Sequence, residues 1–456
     1  MDKSTSFPQN VKLLNTLFLL VLTSLSLYFG KERSVFFDGA DWIYEVIINN
    51  NNYTPNYRYS VGVNGIMPWI CSFFTKDIHV IMHAFILNYA ITPILVFLLL
   101  RYYFKEERFV TLFILGSCLL HTRIFFHPNH DALTGYYYLL ILTSFIILKD
   151  YRYERNYYLK LFFLCTLVVL THLTQYIFLF IIVFYVYLYE NKNLPIKSVL
   201  MLAGGTLLIK FVLLSSGYEL GMYSKMSNIF QSFGTIFNSL LTQTFYRRVL
   251  TFNLPLLAVL VLIVGKLFID KKYIQIAFCV LPLLFILYLM SFYFGKWPYV
   301  FIHEGYFKSA IIIPILIFIR YYLADAKKLA STLILVMIYS FSIFVLINHG
   351  NHYKAYYNNI NFVNKQVNSN TIFVSNKLYN LEENYTLHRH SAFINMMEND
   401  KCSYFQIAQD SISWQNRSYI NDTIEGGLCF KLPAKFSIPS EEIIETLNAQ
   451  KELILY

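Results

Sequence analysis

Residues 11–29, 78–100, 109–126, 132–148, 159–172, 173–189, 198–214, 250–268, 273–294, 308–323 and 329–347 are apolar runs. A helix needs roughly 20 such residues to cross a bilayer, within a range of about 17–25. No other feature of the chain restricts its fold as strongly. The pattern predicts an all-α polytopic membrane protein with about eleven transmembrane helices, several of them short. The stretch 159–189 is where that count is least certain. The composition agrees, being 56% hydrophobic, 18% aromatic and only 14% charged, against about 25% charged in soluble chains. A further apolar segment, 62–74, is short and carries Gly62, Gly65 and Pro68, and it reads as interfacial or re-entrant.

Charge orients the bundle, because cytoplasmic loops are enriched in Lys and Arg. With the N-terminus inside, the short inner segments hold seventeen basic residues, among them Arg101, Arg108, Lys149, Lys266 and Arg320. The longer outer loops of the same region hold eleven, counting Lys210. The net charge of +10 is therefore a topogenic signal. No basic stripe interleaves with exposed aromatics on a soluble face, so no nucleic-acid partner is expected. The first run lacks a small-residue cleavage site and reads as a retained anchor. Residues 1–348 form the transmembrane region, with a first outer loop at 30–77, and 349–456 form a soluble extracytoplasmic domain. Within that domain, "TIFVS" (371–375), "SYFQIA" (403–408) and "LCFKL" (428–432) read as strands. An amphipathic helix carrying Tyr353, Tyr356, Tyr357, Ile360, Val363 and Val367 precedes them, and a helix that Ser440 can cap follows, giving a small α/β unit. "HRH" (388–390) reads as a solvated polar cluster. Cys402 and Cys429 lie in this exterior domain, where an oxidising environment would let them pair. The richness in Tyr, Asn, Ile and Lys reads as nucleotide bias, and patches such as Asn49–Asn52 receive little weight on that account.

Acids are scarce on the outer side of the membrane region, and five of its eight fall in or beside the first loop. In "FFDGADWIYEVI" (36–47), Asp38 precedes a helical pattern whose apolar face is Trp42, Ile43, Val46 and Ile47. Asp41 and Glu45 share the opposite face. Acids in a first helical turn are favourable caps, and the apolar face would lie in the membrane interface. Yet acids at i and i+4 repel one another modestly, which a bound cation or a substrate hydroxyl would relieve. In the second outer turn, His127, His130 and Asp131 lead directly into a span. Asp131 either caps that helix or faces the first-loop acids across the bundle. A third segment, "HEGYFKSAIIIPILIFI" (303–319), places His303, Glu304 and Lys308 before a span with Pro314. These groups, and the pair Arg247 and Arg248, either anchor the chain at the interface or hold a phosphate. Lys210, deep in an apolar run, either snorkels or lines a cavity.

Together these segments resemble the glycosyltransferase C superfamily (GT-C), polytopic enzymes that use polyprenyl-phosphate-linked sugars. Members carry an acidic motif after the first span, which "FFDGADWIYEVI" resembles. They tend to have an aspartate entering the fourth span, which "NHDALTGYYYLLILTSFIIL" resembles, and a late outer turn feeding a proline-bearing span. The likeness covers most of 11–347 in layout and about 50 residues in motif. It implies transfer of a sugar from a lipid-linked donor to a glycan, lipid or protein acceptor at the outer face of a bacterial inner membrane. On that reading Asp38 is the base, and Asp41 and Asp131 orient the acceptor or hold a divalent ion, Mg or Mn. Glu45, His130 and Glu304 join the substrate site, while His303, Lys308, Arg247 and Arg248 meet the phosphate. Many members carry adjacent acids in the first loop, whereas here Gly39 follows Asp38, so either Asp38 or Asp41 can be the base. No WWDYG-like motif appears, so asparagine glycosylation is not expected. The competing readings are an envelope polysaccharide polymerase or O-antigen ligase, and a non-catalytic transporter-like protein.

Overall fold

The computed structural model describes residues 8–35, 39–50, 52, 59–119, 123–126, 131–172, 174–214, 254–294, 309–323, 328–374, 387–399, 401, 403–408 and 435–455. Each apolar run contains a helix. These are α1 (Gln9–Tyr28), α5 (Ile78–Leu98), α6 (Glu107–Leu119), α7 (Asp131–Leu148), α8 (Tyr157–Val169), α9 (Thr174–Tyr185), α10 (Ile196–Leu213), α11 (Leu254–Ile269), α12 (Tyr273–Phe294), α13 (Ile312–Phe318) and α14 (Lys328–Gln366). Among the described residues, four helices are long and apolar enough to cross a membrane: Gln9–Tyr28, Ile78–Tyr103, Ile196–Leu213 and Leu329–Gln366. The others are shorter apolar helices. Large side chains such as Leu95, Met201, Met337 and Phe344 stay exposed. Water would penalise such a surface, and hydrocarbon does not.

The stretch 159–189 divides between Val169 and Thr174 into α8 and α9, as the two runs there predict. One expectation changes. Helix α6 stops at Leu119, and residues 123–126 form a separate 3-10 turn instead of extending it to 126.

Polar side chains tie the bundle at the end where α1 begins. Asn15 is fully buried, and its amide donates to Glu107 at 2.9 Å and to Thr111 at 3.0 Å. Tyr339 of α14 donates to the Asn15 carbonyl oxygen at 2.6 Å. Arg101 bridges Thr16 and Glu107 at 2.7 and 2.8 Å. One asparagine therefore joins α1, α6 and α14 where no apolar contact would fix their register.

The opposite end is built from short elements. Helices α2 (Gly30–Val35), α3 (Gly39–Asn49) and α4 (Ile66–Ser72), with a 3-10 turn at Tyr59–Gly65, make up the described part of the first loop. The 59–72 segment packs on α5 through Asn88, whose amide donates to the Val63 carbonyl at 3.0 Å and whose oxygen accepts from the Met67 N–H at 3.2 Å. Its Ile66, Ile70, Phe73 and Phe74 remain exposed, in keeping with an interfacial segment.

The last apolar run and the amphipathic helix that follows it are one element. Helix α14 has 39 residues, about 58 Å at 1.5 Å per residue, or nearly twice the ~30 Å hydrocarbon core. Its far half buries Tyr353, Tyr356, Tyr357, Ile360 and Val363. Beyond it, β1 (Thr371–Val374), β2 (Phe405–Ala408) and β3 (Lys435–Ser437) form a parallel sheet in the order β2-β1-β3. Helix α15 (Leu387–Asn399) lies between β1 and β2 in sequence, and α16 (Glu441–Leu455) follows β3. The first two strands and the last helix fall where the sequence pattern expects them, and Ser440 caps α16 by accepting from the Ile443 N–H at 3.4 Å. The strand expected at 428–432 lies outside the described residues, and β3 comes a few residues later. His390 is not solvated: it sits on α15 with no exposure, its ring edge-on to Tyr356 at 6.3 Å.

Helices α1 and α14 approach so closely that Gly350 abuts the ring of Phe29, and a Cβ there would overlap it. Phe29 is itself 1% exposed and cannot swing into open space. Gly350→Ala is therefore expected to lower stability by about 1–3 kcal/mol, the cost of overpacking. Gly204→Ala, whose Cβ meets nothing within 4 Å, should leave the unfolding midpoint unchanged or slightly raised.

Candidate functional site

The first-loop helix does not rest its apolar face in the membrane interface. Trp42, Ile43 and Val46 are 2%, 0% and 1% exposed. They join a core with Phe29, Phe85, Tyr353, Ile360, Phe393 and Phe405. Helix α3 is thus clamped between α5 and the C-terminal segment. Asp41 and Glu45 lie on this helix, Glu45 half-buried. The Asp41 side chain, Asp38 itself, His130, Arg247, Arg248, His303, Glu304 and Lys308 lie outside the described residues, as do Cys402 and Cys429.

Gly39 has a steric reason. A Cβ at this position would run into the backbone carbonyl of Ser34. No side chain fits at position 39 without a shift, so an acid directly following Asp38 does not fit. The second acid falls at Asp41, within the first turn of α3.

Asparagines outside the apolar runs matter more than their abundance suggests. Asn50 ends α3 with φ 48°, in the left-handed region that Asn tolerates. Its carbonyl accepts from the Trp69 indole at 2.9 Å. Asn52 donates to the Gly62 carbonyl at 2.8 Å. The patch at 49–52 therefore folds the first loop back upon α4.

Helix α7 begins at Asp131, whose side chain is not described. One turn further on, Thr134 accepts from the Asn64 amide at 2.9 Å, and Tyr138 donates to the Ser60 carbonyl at 3.1 Å. The first loop and the second turn are thus hydrogen-bonded together. Gln175 of α9 packs against Gly135, where a Cβ would come within 2.7 Å of its side chain. Ser309 donates to the Gln175 side-chain oxygen at 2.6 Å. Ser309 directly follows Lys308, so the third segment enters the bundle beside the start of α7.

The junction between α2 and the C-terminal segment is charged. Lys31 pairs with Glu398 at 3.0 Å, and Tyr357 donates to Glu398 at 2.7 Å. Burial works to raise the Glu398 pKa, but the hydrogen bonds from Tyr357 and Lys31 outweigh it and hold the carboxyl below its ordinary value. Glu32, 7% exposed, moves the other way: burial raises its pKa despite a backbone hydrogen bond and the nearby Lys354 and Lys31. Lys210 is buried at the end of α10, where it donates to the Leu214 carbonyl at 3.3 Å.

Sequence reasoning passed over Arg33. It is 6% exposed and lies against Phe125, its guanidinium carbon 4.1 Å from the ring centre. The available signal was a basic residue beside the scarce first-loop acids. Among the described residues no three His, Cys, Asp or Glu side chains gather to hold an ion. The acids that the GT-C resemblance assigns to a metal have side chains outside those described.

No known protein family, curated protein or solved structure matches this chain. The functional reading rests on its own residues.

Glu32 yields a pH prediction. An acid whose pKa is raised on folding stabilises the fold fully below its unfolded value, near 4.5, and that contribution is lost as pH rises through the folded value. Glu32→Gln is neutral at every pH. It should unfold at a higher temperature than the parent at pH 7.5, and the gap should close below about pH 4.5. A gap that persists at pH 4 would show that burial of the charge is not its cause.

Proposed function

We propose that the chain is a membrane glycosyltransferase that moves a sugar from a polyprenyl-phosphate-linked donor to an acceptor hydroxyl at the outer face of the membrane. On this reading the bundle spans the membrane eleven times with its N-terminus in the cytoplasm. The β1–β3 sheet with α15 and α16 is an extracytoplasmic domain that closes over the first loop. The plasma membrane of a bacterium is its expected location.

One observation carries the reading. Described residues that flank three chain segments singled out for their charge meet near the start of α7. The first loop bonds α7 through Asn64–Thr134, one helical turn from Asp131. The third segment enters through Ser309–Gln175, next to Lys308. A scatter of interfacial anchors has no reason to converge in this way.

The chemistry requires a base and a site for developing negative charge. A carboxylate within hydrogen-bond reach of the acceptor hydroxyl takes its proton as the oxygen attacks the anomeric carbon. Asp38, at the head of the clamped helix α3, is assigned that role, with Asp41 as the alternative. Asp131 and Glu45 orient the acceptor, joined by His130 and Glu304. The departing lipid phosphate gains charge and needs cationic partners, a role given to His303, Lys308, Arg247 and Arg248. Inversion at the anomeric carbon follows from a single displacement.

The test uses the full-length protein in the membranes that contain it, which supply endogenous acceptors, with a panel of polyprenyl-phosphate-linked monosaccharides, following release of polyprenyl phosphate. The parent should consume at least one donor. Asp38→Ala should slow that consumption by about 10²–10⁴-fold, the usual contribution of a positioned base, while accumulating normally in membranes. Full activity in both Asp38→Ala and Asp41→Asn would overturn the reading.

A further inference from the structure

At the end of the bundle where α1 finishes lies a cavity of about 40 Å³, large enough for a small polar group. Its walls come from α1, α5, α6, α7 and the 3-10 turn at 123–126. Arg33 lines it, together with the hydroxyl-bearing residues Thr23, Ser26, Tyr89, Ser117 and Tyr137. Among the described residues no carboxylate contributes to the wall.

Arg33 is placed unusually. A long basic side chain just past the end of an apolar helix ordinarily extends outward to water. Arg33 follows α1 by five positions, yet it lines the same cavity as Ser26 and Leu22. Its Nε and Nη1 are buried and have no hydrogen-bond partner. Among the described residues no acid forms an ion pair with it. The rings of Phe125, at 4.1 Å, and Tyr89, at 5.5 Å, offer cation–π contact. That contact is weaker than the hydration the group gives up. Burial lowers its pKa to about 10, so the group still carries its charge at neutral pH. A buried cation facing a hydroxyl-lined cavity is half of an anion site.

We propose that this cavity binds the phosphate group of an amphiphile in the surrounding leaflet, with Arg33 as the charged partner and the wall hydroxyls as further donors. Phosphate fits better than a carboxylate because a guanidinium fork and several hydroxyls match its multiple acceptor oxygens. The cavity is small, so the proposal places only the phosphoryl group in it, with the remainder of the ligand extending out between the helices. The proposal deepens the transferase reading by giving the lipid phosphate a partner in the first loop that the charge pattern alone did not single out. Its test reads binding and not turnover.

The full chain in maltoside micelles is titrated with a C55 polyprenyl phosphate, with the corresponding polyprenol and with inorganic phosphate, following binding and the unfolding midpoint. Polyprenyl phosphate should bind saturably, and at least tenfold more tightly than polyprenol. Arg33→Gln should weaken that binding at least tenfold, and Arg33→Lys by less, since it keeps the charge and loses the fork. Inorganic phosphate that binds as tightly as the lipid would identify a free anion as the occupant and overturn the lipid source. Equal affinity of the parent for polyprenyl phosphate and polyprenol would overturn the anion site, whatever the variants do. Arg33→Met supplies an independent check without ligand. It should raise the unfolding midpoint if the charge is uncompensated, and a lowered midpoint would show that an acid of the protein already neutralises Arg33. Saturable, Arg33-dependent binding with no transfer from any donor would leave the anion site standing and remove the transferase.

Discussion

The far half of α14 is the surface on which the rest of this end of the molecule is assembled. A helix of this length leaves the hydrocarbon with its apolar face still needing cover, and two unrelated pieces of chain supply it. One is α3, through Trp42, Ile43 and Val46. The other is the C-terminal segment, through Phe393, Ile394, Phe405 and Leu447, so that a single core joins residues some 400 positions apart in sequence. At roughly 1.5–3 kcal/mol for each large apolar side chain buried, this core outweighs any single polar contact in the region. Its consequence is rigidity: α3, which carries Asp41 and Glu45, is held against the bundle.

Within the bundle the forces differ. Helices surrounded by lipid gain little from burying one apolar side chain against another, so close approach and buried hydrogen bonds set their arrangement. Asn15 joins three helices, Gln175 links α9 to Ser309 and lies on Gly135, and Gly350 admits the ring of Phe29. Each fixes a register that Leu and Ile would leave free to slide. Arg33 belongs to the same class of buried polar groups and differs from it in one respect. Asn15 has all its partners within the protein, whereas two of the Arg33 nitrogens have none.

Much of the architecture was legible because period and length are strong signals. Apolar runs near 20 residues gave the helices, and the spacing of Tyr353, Tyr356, Ile360 and Val363 gave the buried face of α14. What covers that face was not legible. The amphipathic pattern of α3 is the same for a helix lying on lipid as for one lying on protein, and only the fold decides which surface meets Trp42. The join between the last apolar run and the amphipathic helix after it was hidden because the polar stretch near His349 and Asn351 looks like a boundary, although α14 runs straight through it. The asparagines were hidden by their abundance, since composition cannot say which copies of a common residue are buried. Gly39 could be noticed only as a departure from a family pattern, and its cause is a carbonyl five residues away. The proposed site was legible as a set of charged residues near the ends of apolar runs. The contacts beside those residues come from Asn64, Thr134, Gln175 and Ser309, which carry no sequence signature of function.

The most direct test of this account is hydrogen exchange across α3 in the intact protein. If residues 39–49 are clamped in one core with α14 and the C-terminal sheet, their amides should exchange together with those of 353–367, slowly and with the same dependence on denaturant. Rapid exchange of 39–49 while 353–367 stays protected would contradict it. The first-loop acids would then sit on a helix loose at the membrane surface, and neither the clamped base nor the convergence of the three segments would stand.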